Sequence, residues 1–273
     1  MYNVAIVGCG RISHKIAEGV AKNNDRMKLV VLCDPIEEKM FETEKTYNKK
    51  IEKENTILKY KNYKEILKEN KIDIAIISTE SGYHEEIGLY FLENGVNLII
   101  EKPLAMSIEG AQKLVDTAKK NNLKLAASHQ NRFNYPIQLL KKAIKENRLG
   151  RIFNGMARIL WTRDDNYYLQ APWRGTWALD GGTLMNQCIH NIDLINWMMD
   201  DEIDTVYAQT SNYIRNIEAE DYGVILIRYK SGKIATIEGS AIVYPKNLEE
   251  TLTITGEKGT VVIGGMAVNK INT

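Results

Sequence analysis

A chain of 273 residues with 36 Lys and Arg against 35 Asp and Glu has a formal charge of +1. That balance excludes a global field able to gather nucleic acid or an anionic membrane surface, so the expected partner is a small molecule. The length suits two domains, each able to bury a core. Three cysteines, Cys9, Cys33 and Cys188, are far apart and lack CxxC or Cys/His spacing, which excludes a disulfide framework and a metal site and reads as reduced thiols. The opening Met1-Tyr2-Asn3-Val4 has no basic stretch ahead of a long apolar core, and no apolar run approaches about 18 residues, so the sequence reads as cytoplasmic.

From residue 2 to about 128, short β-branched runs alternate with longer amphipathic stretches. The runs Val4 to Val7, Leu29 to Cys33, Thr56 to Tyr60, Ile74 to Ser78, Val96 to Ile100 and Leu123 to Ala127 predict strands. The stretches near 12–23, 36–48, 62–69, 84–94 and 107–121 predict helices, the fourth closed by Asn94-Gly95. This alternation predicts an α/β protein whose N-terminal domain, 1–128, is a doubly wound Rossmann domain. After Pro136 the pattern changes to a helix ending near 147, a turn at Leu149-Gly150, a long strand over 151–161 and a helix over 184–199. Strand-like runs follow near 203–213, 221–230, 233–243 and 249–255, with turns at Ser231-Gly232 and Glu257-Lys258-Gly259 and a last strand at Thr260 to Ile263. Residues 129–273 are therefore expected to form a C-terminal α+β domain on a mostly antiparallel sheet with helices on one face, serving substrate binding and oligomerisation.

Gly8-Cys9-Gly10-Arg11-Ile12-Ser13 follows a buried strand and opens a helix, where glycines allow a tight turn and let the main chain approach a pyrophosphate at the helix N-terminus. Ser13 replaces the third glycine of that fingerprint, and taken alone the pattern also fits an ordinary strand-to-helix turn. Asp34 separates the two readings. It ends the second strand about 24 residues after Gly10, where a carboxylate accepts the hydroxyls of an adenine ribose. With Glu37 and Glu38 nearby and no Arg beside it, the site would repel a 2′-phosphate, so NAD is expected over NADP. Ser78-Thr79 and Glu101-Lys102-Pro103 end the fourth and fifth strands, the edge of an open sheet where ligands lie, and Lys102 would point a cation there.

Each of the four histidines has a bland alternative. His14 reads as a helix-face residue, His84 as bordering a nicotinamide or as a packing residue, and His129 as a strand-end residue whose neighbours Gln130, Asn131 and Arg132 line a site. His190 is the expected general base, sharing one helix face with Asn186 and Asp193. Lys102 would stabilise the developing alkoxide as hydride leaves a secondary alcohol. No metal is needed for that chemistry.

Gly8 and Gly10, Glu101-Lys102-Pro103, and Gly181-Gly182 followed by His190-Asn191-Ile192-Asp193 resemble the glucose-fructose oxidoreductase and inositol dehydrogenase (Gfo/Idh/MocA) superfamily over essentially the whole chain. Gln130-Asn131-Arg132, Trp161-Thr162-Arg163, Tyr167-Tyr168, Trp173-Arg174-Gly175-Thr176-Trp177, Met185-Asn186-Gln187 and Tyr244-Pro245-Lys246-Asn247 are similar to the UDP-N-acetylglucosaminuronate 3-dehydrogenases of surface-polysaccharide biosynthesis. The resemblance implies tightly held NAD, in some members reoxidised by 2-oxoglutarate, and assembly as a homodimer or homotetramer.

It also extends the cofactor-binding set (Gly8, Gly10, Asp34, Ser78, Thr79, Glu101, Lys102) to Arg11, Ile12, His84, Gln130, Trp173 and Arg174. Substrate binding would fall to Lys102, Asn131, Arg132, Arg163, Tyr167, Tyr168, Asn186, His190 and Asp193, arginines and phenols being suited to a diphosphate and a carboxylate. Trp161, Trp173 and Trp177 would either cover the sugar or fill a core. Other sugars or cyclitols as substrate, and an NAD-dependent sensor without turnover, are the competing readings. Two departures stand out. Many superfamily members have an Asp one turn before the catalytic His where this chain has Asn186, and relatives generally continue for several tens of residues beyond the equivalent of Thr273, so a truncated C-terminus is expected.

Overall fold

A computed structural model describes residues 1–265 and 267–271 and divides the chain into two compact units, Met1–Ser128 and His129–Thr273. In the first unit β1 (Tyr2–Val7), α1 (Ser13–Lys22), β2 (Met27–Cys33), α2 (Glu37–Ile51) and β3 (Leu58–Tyr60) form one half. The other half contains α3 (Ile66–Glu69), β4 (Ile74–Ile77), α4 (His84–Glu93), β5 (Asn97–Ile100), α5 (Ile108–Lys120) and β6 (Leu125–Ala127). All strand pairs are parallel, in the order β3-β2-β1-β4-β5-β6. The chain reverses its winding between β1 and β4, which opens a crevice at their carboxyl ends. Val4, Ala5, Ile6 and Val7 are all buried, because helices cover both faces of a parallel sheet and leave no strand face for solvent. Two apolar clusters, one on each face of the sheet, hold the unit together, around Phe91, Leu92 and Leu114 and around Leu29, Met40 and Tyr47. Each such side chain is worth about 1.5–3 kcal/mol of burial. The helix expected over 62–69 is only a 3₁₀ turn, Tyr63–Glu65, running into the single turn of α3, started by Asn62, whose side chain accepts from the Lys64 N–H.

The second unit carries α6 (Tyr135–Lys145), β7 (Ile152–Leu160), α7 (Asp165–Leu169), α8 (Thr183–Asn186), α9 (Ile189–Met199) and six further strands. These are β8 (Ile203–Ser211), β9 (Tyr222–Tyr229), β10 (Ile234–Ser240), β11 (Glu249–Gly256), β12 (Gly259–Gly264) and β13 (Lys270–Ile271). The sheet order is β13-β12-β11-β7-β10-β9-β8, antiparallel except for the central β7/β10 pair. That parallel pair follows from the long crossover between its two strands, which returns the chain in the same direction.

The single helix expected over 184–199 is a correction: it consists of α8 and α9. The Cys188 N–H reaches back to the Thr183 carbonyl at 2.9 Å, a turn one residue wider than an α-helical one, and α9 restarts with the Asn191 and Ile192 N–H groups on the Cys188 carbonyl. Glycines on the inner face of the sheet let this segment sit close. A Cβ at Gly239 would lie 2.5 Å from Cys188 Sγ, and one at Gly155 would lie 2.2 Å from Met199 Cε. On the outer face Met156, Tyr207, Val224, Leu226 and Ile234 are exposed.

Candidate active site

In the first unit the main chain builds the site. Gly8 has φ +92°, and a Cβ there would lie 2.5 Å from the Ser78 carbonyl carbon, so only glycine lets the β1 and β4 exits come this close. Ser78 Oγ donates to the Gly8 carbonyl at 2.7 Å, locking the two exits together. At Gly10 a Cβ would meet nothing within 4 Å, which leaves the space a pyrophosphate needs beside the start of α1. Ser13 fills the third fingerprint position from within: it is fully buried, its Oγ donates to the Gly10 carbonyl at 2.7 Å and lies 2.9 Å from Thr43 Oγ1. Arg11 and Ile12 are exposed at the mouth of this turn.

Asp34 is 6% exposed, and its carboxylate accepts the Cys9 N–H at 2.8 Å and the Ile36 N–H at 2.9 Å. It therefore holds the glycine loop against the end of β2, while each oxygen retains a second lone pair for a hydroxyl. The glycine loop and carboxylate thus fit a dinucleotide. Cys9 and Cys33 are buried here, and burial with the neighbouring carboxylate pushes the Cys9 thiol up to about 12, which leaves it an unreactive packing group.

His84 is 1% exposed, and it packs beneath these exits. Its Nδ1–H donates to the Pro103 carbonyl at 2.7 Å and its Nε2 lies 3.2 Å from the Thr79 carbonyl. It ties the Lys102-Pro103 turn to the β4 exit, and burial holds its pKa below the ordinary 6.5. The Glu101 N–H donates to the Ile77 carbonyl at 2.8 Å, which continues the β5 pairing up to the residue before Lys102.

In the second unit side chains build the site. His190 is the second residue of α9, and Gln130 Nε2 lies 3.4 Å from His190 Nε2. The His129 ring stands edge-on to His190 with centroids 6.1 Å apart, and His129 Nδ1 lies 3.6 Å from Asp193 Oδ2. Arg132 grips Asp193 with Nε at 2.7 Å and Nη2 at 2.5 Å, and stacks over Trp197 at 5.1 Å. That bidentate pair raises the Arg132 pKa further and turns the two side chains toward each other. Asn131 lies in the same 3₁₀ turn, Gln130–Phe133.

Tyr167 lies under two guanidinium groups, Arg174 at 4.1 Å and Arg163 at 5.2 Å from its ring centroid. Arg174 also covers Trp173 at 4.8 Å and Arg163 covers Trp161 at 4.7 Å, so these two indoles serve as platforms for cations. Arg174 Nε is buried and has no hydrogen-bond partner among the described residues. Trp177 is 61% exposed and fills no core. Burial first, then Tyr167 and Asp180, push the Tyr168 phenol up to about 12, so it is a neutral donor. Asn186 donates its amide N–H to Asp180, whose other oxygen accepts the Gly175 N–H at 2.7 Å. Sequence reasoning gave Asp180 no role; its one signal was an Asp just before a Gly-Gly pair that opens a helix. Among the described residues no group of three or more His, Cys, Asp or Glu is placed to hold a metal, and no helix is long and apolar enough to cross a membrane.

A parallel sheet with a glycine cradle and an acidic β2 terminus, followed by a helix-backed antiparallel sheet bearing a histidine cluster, defines a nicotinamide-dependent oxidoreductase. Residues 2–129 match the model of the oxidoreductase family with an NAD-binding Rossmann fold, and residues 137–262 match the GFO/IDH/MocA C-terminal domain. The chain belongs to the Gfo/Idh/MocA family of NAD-binding oxidoreductases. It is 36% identical to the WlbA dehydrogenase of Bordetella pertussis, solved with NADH and UDP-GlcNAcA, with a TM-score of 0.92 over 100% of this chain and 80% of that one. Against the WlbA dehydrogenase of Chromobacterium violaceum, solved with the same two ligands, identity is 36% and the TM-score 0.91, over 100% of this chain and 76% of that one. Myo-inositol 2-dehydrogenase of Thermotoga maritima is 23% identical over 94% of this chain and 74% of its own length.

Proposed function

We propose that the protein oxidises the 3-hydroxyl of a UDP-N-acetylhexosaminuronate, with His190 as general base and Lys102 as the cation that polarises the hydroxyl. Likeness to two dehydrogenases solved with NADH and UDP-GlcNAcA, over the whole of this chain, carries the reading. The paired guanidinium groups of Arg163 and Arg174 over Tyr167 support it, since a sugar nucleotide with a uronate brings a diphosphate and a carboxylate to be met. NAD supplies the two-electron acceptor. The hydroxyl proton goes to the lone pair of His190 Nε2 as the C–H hydride leaves, and the alcohol carbon becomes a ketone. Lys102 lowers the cost of the alkoxide that develops between the two events. The glycine cradle, with Arg11, Ile12, Asp34, Ser78 and Thr79, is assigned to the cofactor. Arg132 and Asp193, engaged with each other, are assigned to shaping the pocket around His190.

Inositol dehydrogenases among the sequence relatives favour a second substrate class, the cyclitols. Single-turnover absorbance of the NAD-loaded protein mixed with UDP-GlcNAcA, UDP-GlcNAc or myo-inositol separates the readings. NADH should form with UDP-GlcNAcA far faster than with the other two, and 2-oxoglutarate should then restore the oxidised form. Turnover of myo-inositol alone would assign the protein to the cyclitol class, and no turnover of any substrate would favour a sensor. The exposed apolar outer face of the second unit's sheet supports assembly with further copies through that face. A monomer by light scattering at micromolar concentration would remove that part of the reading.

A further inference from the structure

On the reading of the substrate as a nucleotide sugar acid, we infer that Arg215 is a further substrate-binding residue, the guanidinium that takes the uronate carboxylate. Sequence reasoning gave it no role. A guanidinium has five N–H donors and keeps its charge when buried, so taking it out of water is costly unless an anion and acceptors meet it. The Arg215 side chain is 12% exposed, and its ion pair among the described residues is to Asp165 at 3.4 Å. That carboxylate is 71% exposed, so water and salt screen the pair and it contributes little. Arg215 Nε is buried with no hydrogen-bond partner among the described residues. Its burial is under-compensated by the protein's own groups, the mark of a cation kept for an anion from outside.

The main chain makes this arm stiff. The loop between β8 and β9 is gathered by Asp221, which is fully buried and accepts the N–H groups of Tyr213, Ile214 and Arg215 at 2.9 Å each. The Glu218 and Ala219 N–H groups tie the same loop to the Gly175 carbonyl, both at 3.1 Å. Because these ties use the loop's backbone, the Arg215 side chain can be exchanged without releasing them. A guanidinium fixed beforehand loses little freedom on binding, so more of its bond to an anion appears as affinity.

The neighbouring groups decide which anion it meets. Arg163 and Arg174 both cover the ring of Tyr167, a pair of cations matched to a diphosphate. The Tyr168 ring stands edge-on to Tyr167 with centroids 5.1 Å apart, and Arg215 acts on its phenol, countering part of the rise that burial, Tyr167 and Asp180 impose. One cation beside a neutral phenol matches the single charge and two oxygens of a carboxylate.

The test is calorimetric binding of UDP-GlcNAcA, and of UDP-GlcNAc, which keeps the diphosphate and lacks the carboxylate, to the NADH-loaded full chain and three variants. Wild type should favour UDP-GlcNAcA. Arg215→Met should weaken UDP-GlcNAcA binding by about ten- to a hundredfold, the loss of a charge-assisted hydrogen bond, and leave UDP-GlcNAc within about twofold. Arg215→Lys keeps the charge without the planar fork and should lose less, again with UDP-GlcNAcA alone. Asp165→Asn removes the surface partner and should bind UDP-GlcNAcA at least as tightly as wild type. A purely structural tether between Arg215 and Asp165 would instead make Asp165→Asn resemble Arg215→Met with both ligands. Equal wild-type affinities, equal changes with the two ligands in Arg215→Met, or no change with either would overturn this inference alone. A wild-type protein that binds neither nucleotide sugar would overturn it together with the proposed function.

Discussion

In the first unit the groups at the β1, β4 and β5 exits are held by main chain: Asp34 accepts two loop N–H groups, His84 meets two carbonyls, and Gly8 lies against the peptide of Ser78. In the second unit side chains meet other side chains: Asp180 with Asn186, Arg132 with Asp193, and two arginines with Tyr167. The first arrangement suits a cofactor whose diphosphate is the same in every relative. The second allows the substrate to change while the fold stays, because a side-chain network is altered one residue at a time.

A single methyl group tests the difference in rigidity. Gly8→Ala would place a Cβ 2.5 Å from backbone at a residue with φ +92°, and backbone has nowhere to move. It should cost about 3 kcal/mol or more in urea unfolding and abolish NAD binding by calorimetry. Gly239→Ala meets side-chain atoms, Cys188 Sγ and the end of Leu184, and no backbone. It should cost about 1–3 kcal/mol and leave NAD affinity unchanged. A larger loss at Gly239 than at Gly8 would break the comparison.

A smaller effect is expected from pH, and it has opposite signs in the two units. His84 has its pKa lowered by burial, so below about pH 6.5 the unfolded chain binds a proton that the native unit resists, and stability contributed by the neutral ring is lost as pH falls. Glu250 on β11 is 4% exposed, and burial raises its carboxyl to about 7. Between about pH 4.5 and 7 the native unit keeps a proton the unfolded chain has released, so stability falls as pH rises and the full penalty is present above 7. Glu250→Gln should therefore raise the thermal midpoint at pH 8 by several degrees and change it little at pH 4.5, at about 2–4 °C per kcal/mol. An equal shift at both pH values would show that Glu250 carries no burial penalty.

How much was legible in the sequence follows the same division. Glycine spacing and an Asp at a strand end are local marks of a main-chain site, so Gly8, Gly10 and Asp34 are readable before any fold is known. The second bonds of Asp34, to Cys9 and Ile36, are not. The split between α8 and α9 carries no Gly or Pro signal; it accompanies the close seating of Cys188 on Gly239, a contact between residues far apart in sequence. Arg132 reads as substrate-binding by residue type and Asp193 by the His-x-x-Asp resemblance, because their partnership spans 61 positions and is set by tertiary structure. The same holds for the parallel β7/β10 pair inside an otherwise antiparallel sheet.

The most direct test of the division between a cofactor-holding and a proton-handling unit pairs two measurements on His190→Asn: NAD affinity by calorimetry and single-turnover NADH formation from UDP-GlcNAcA. The affinity should stay within about twofold of wild type while the chemical step falls by about 10²- to 10⁴-fold, the range for a positioned base. Lys102→Met should lower the rate comparably. A His190→Asn protein that forms NADH at the wild-type rate, or one that loses NAD with the rate, would contradict the account.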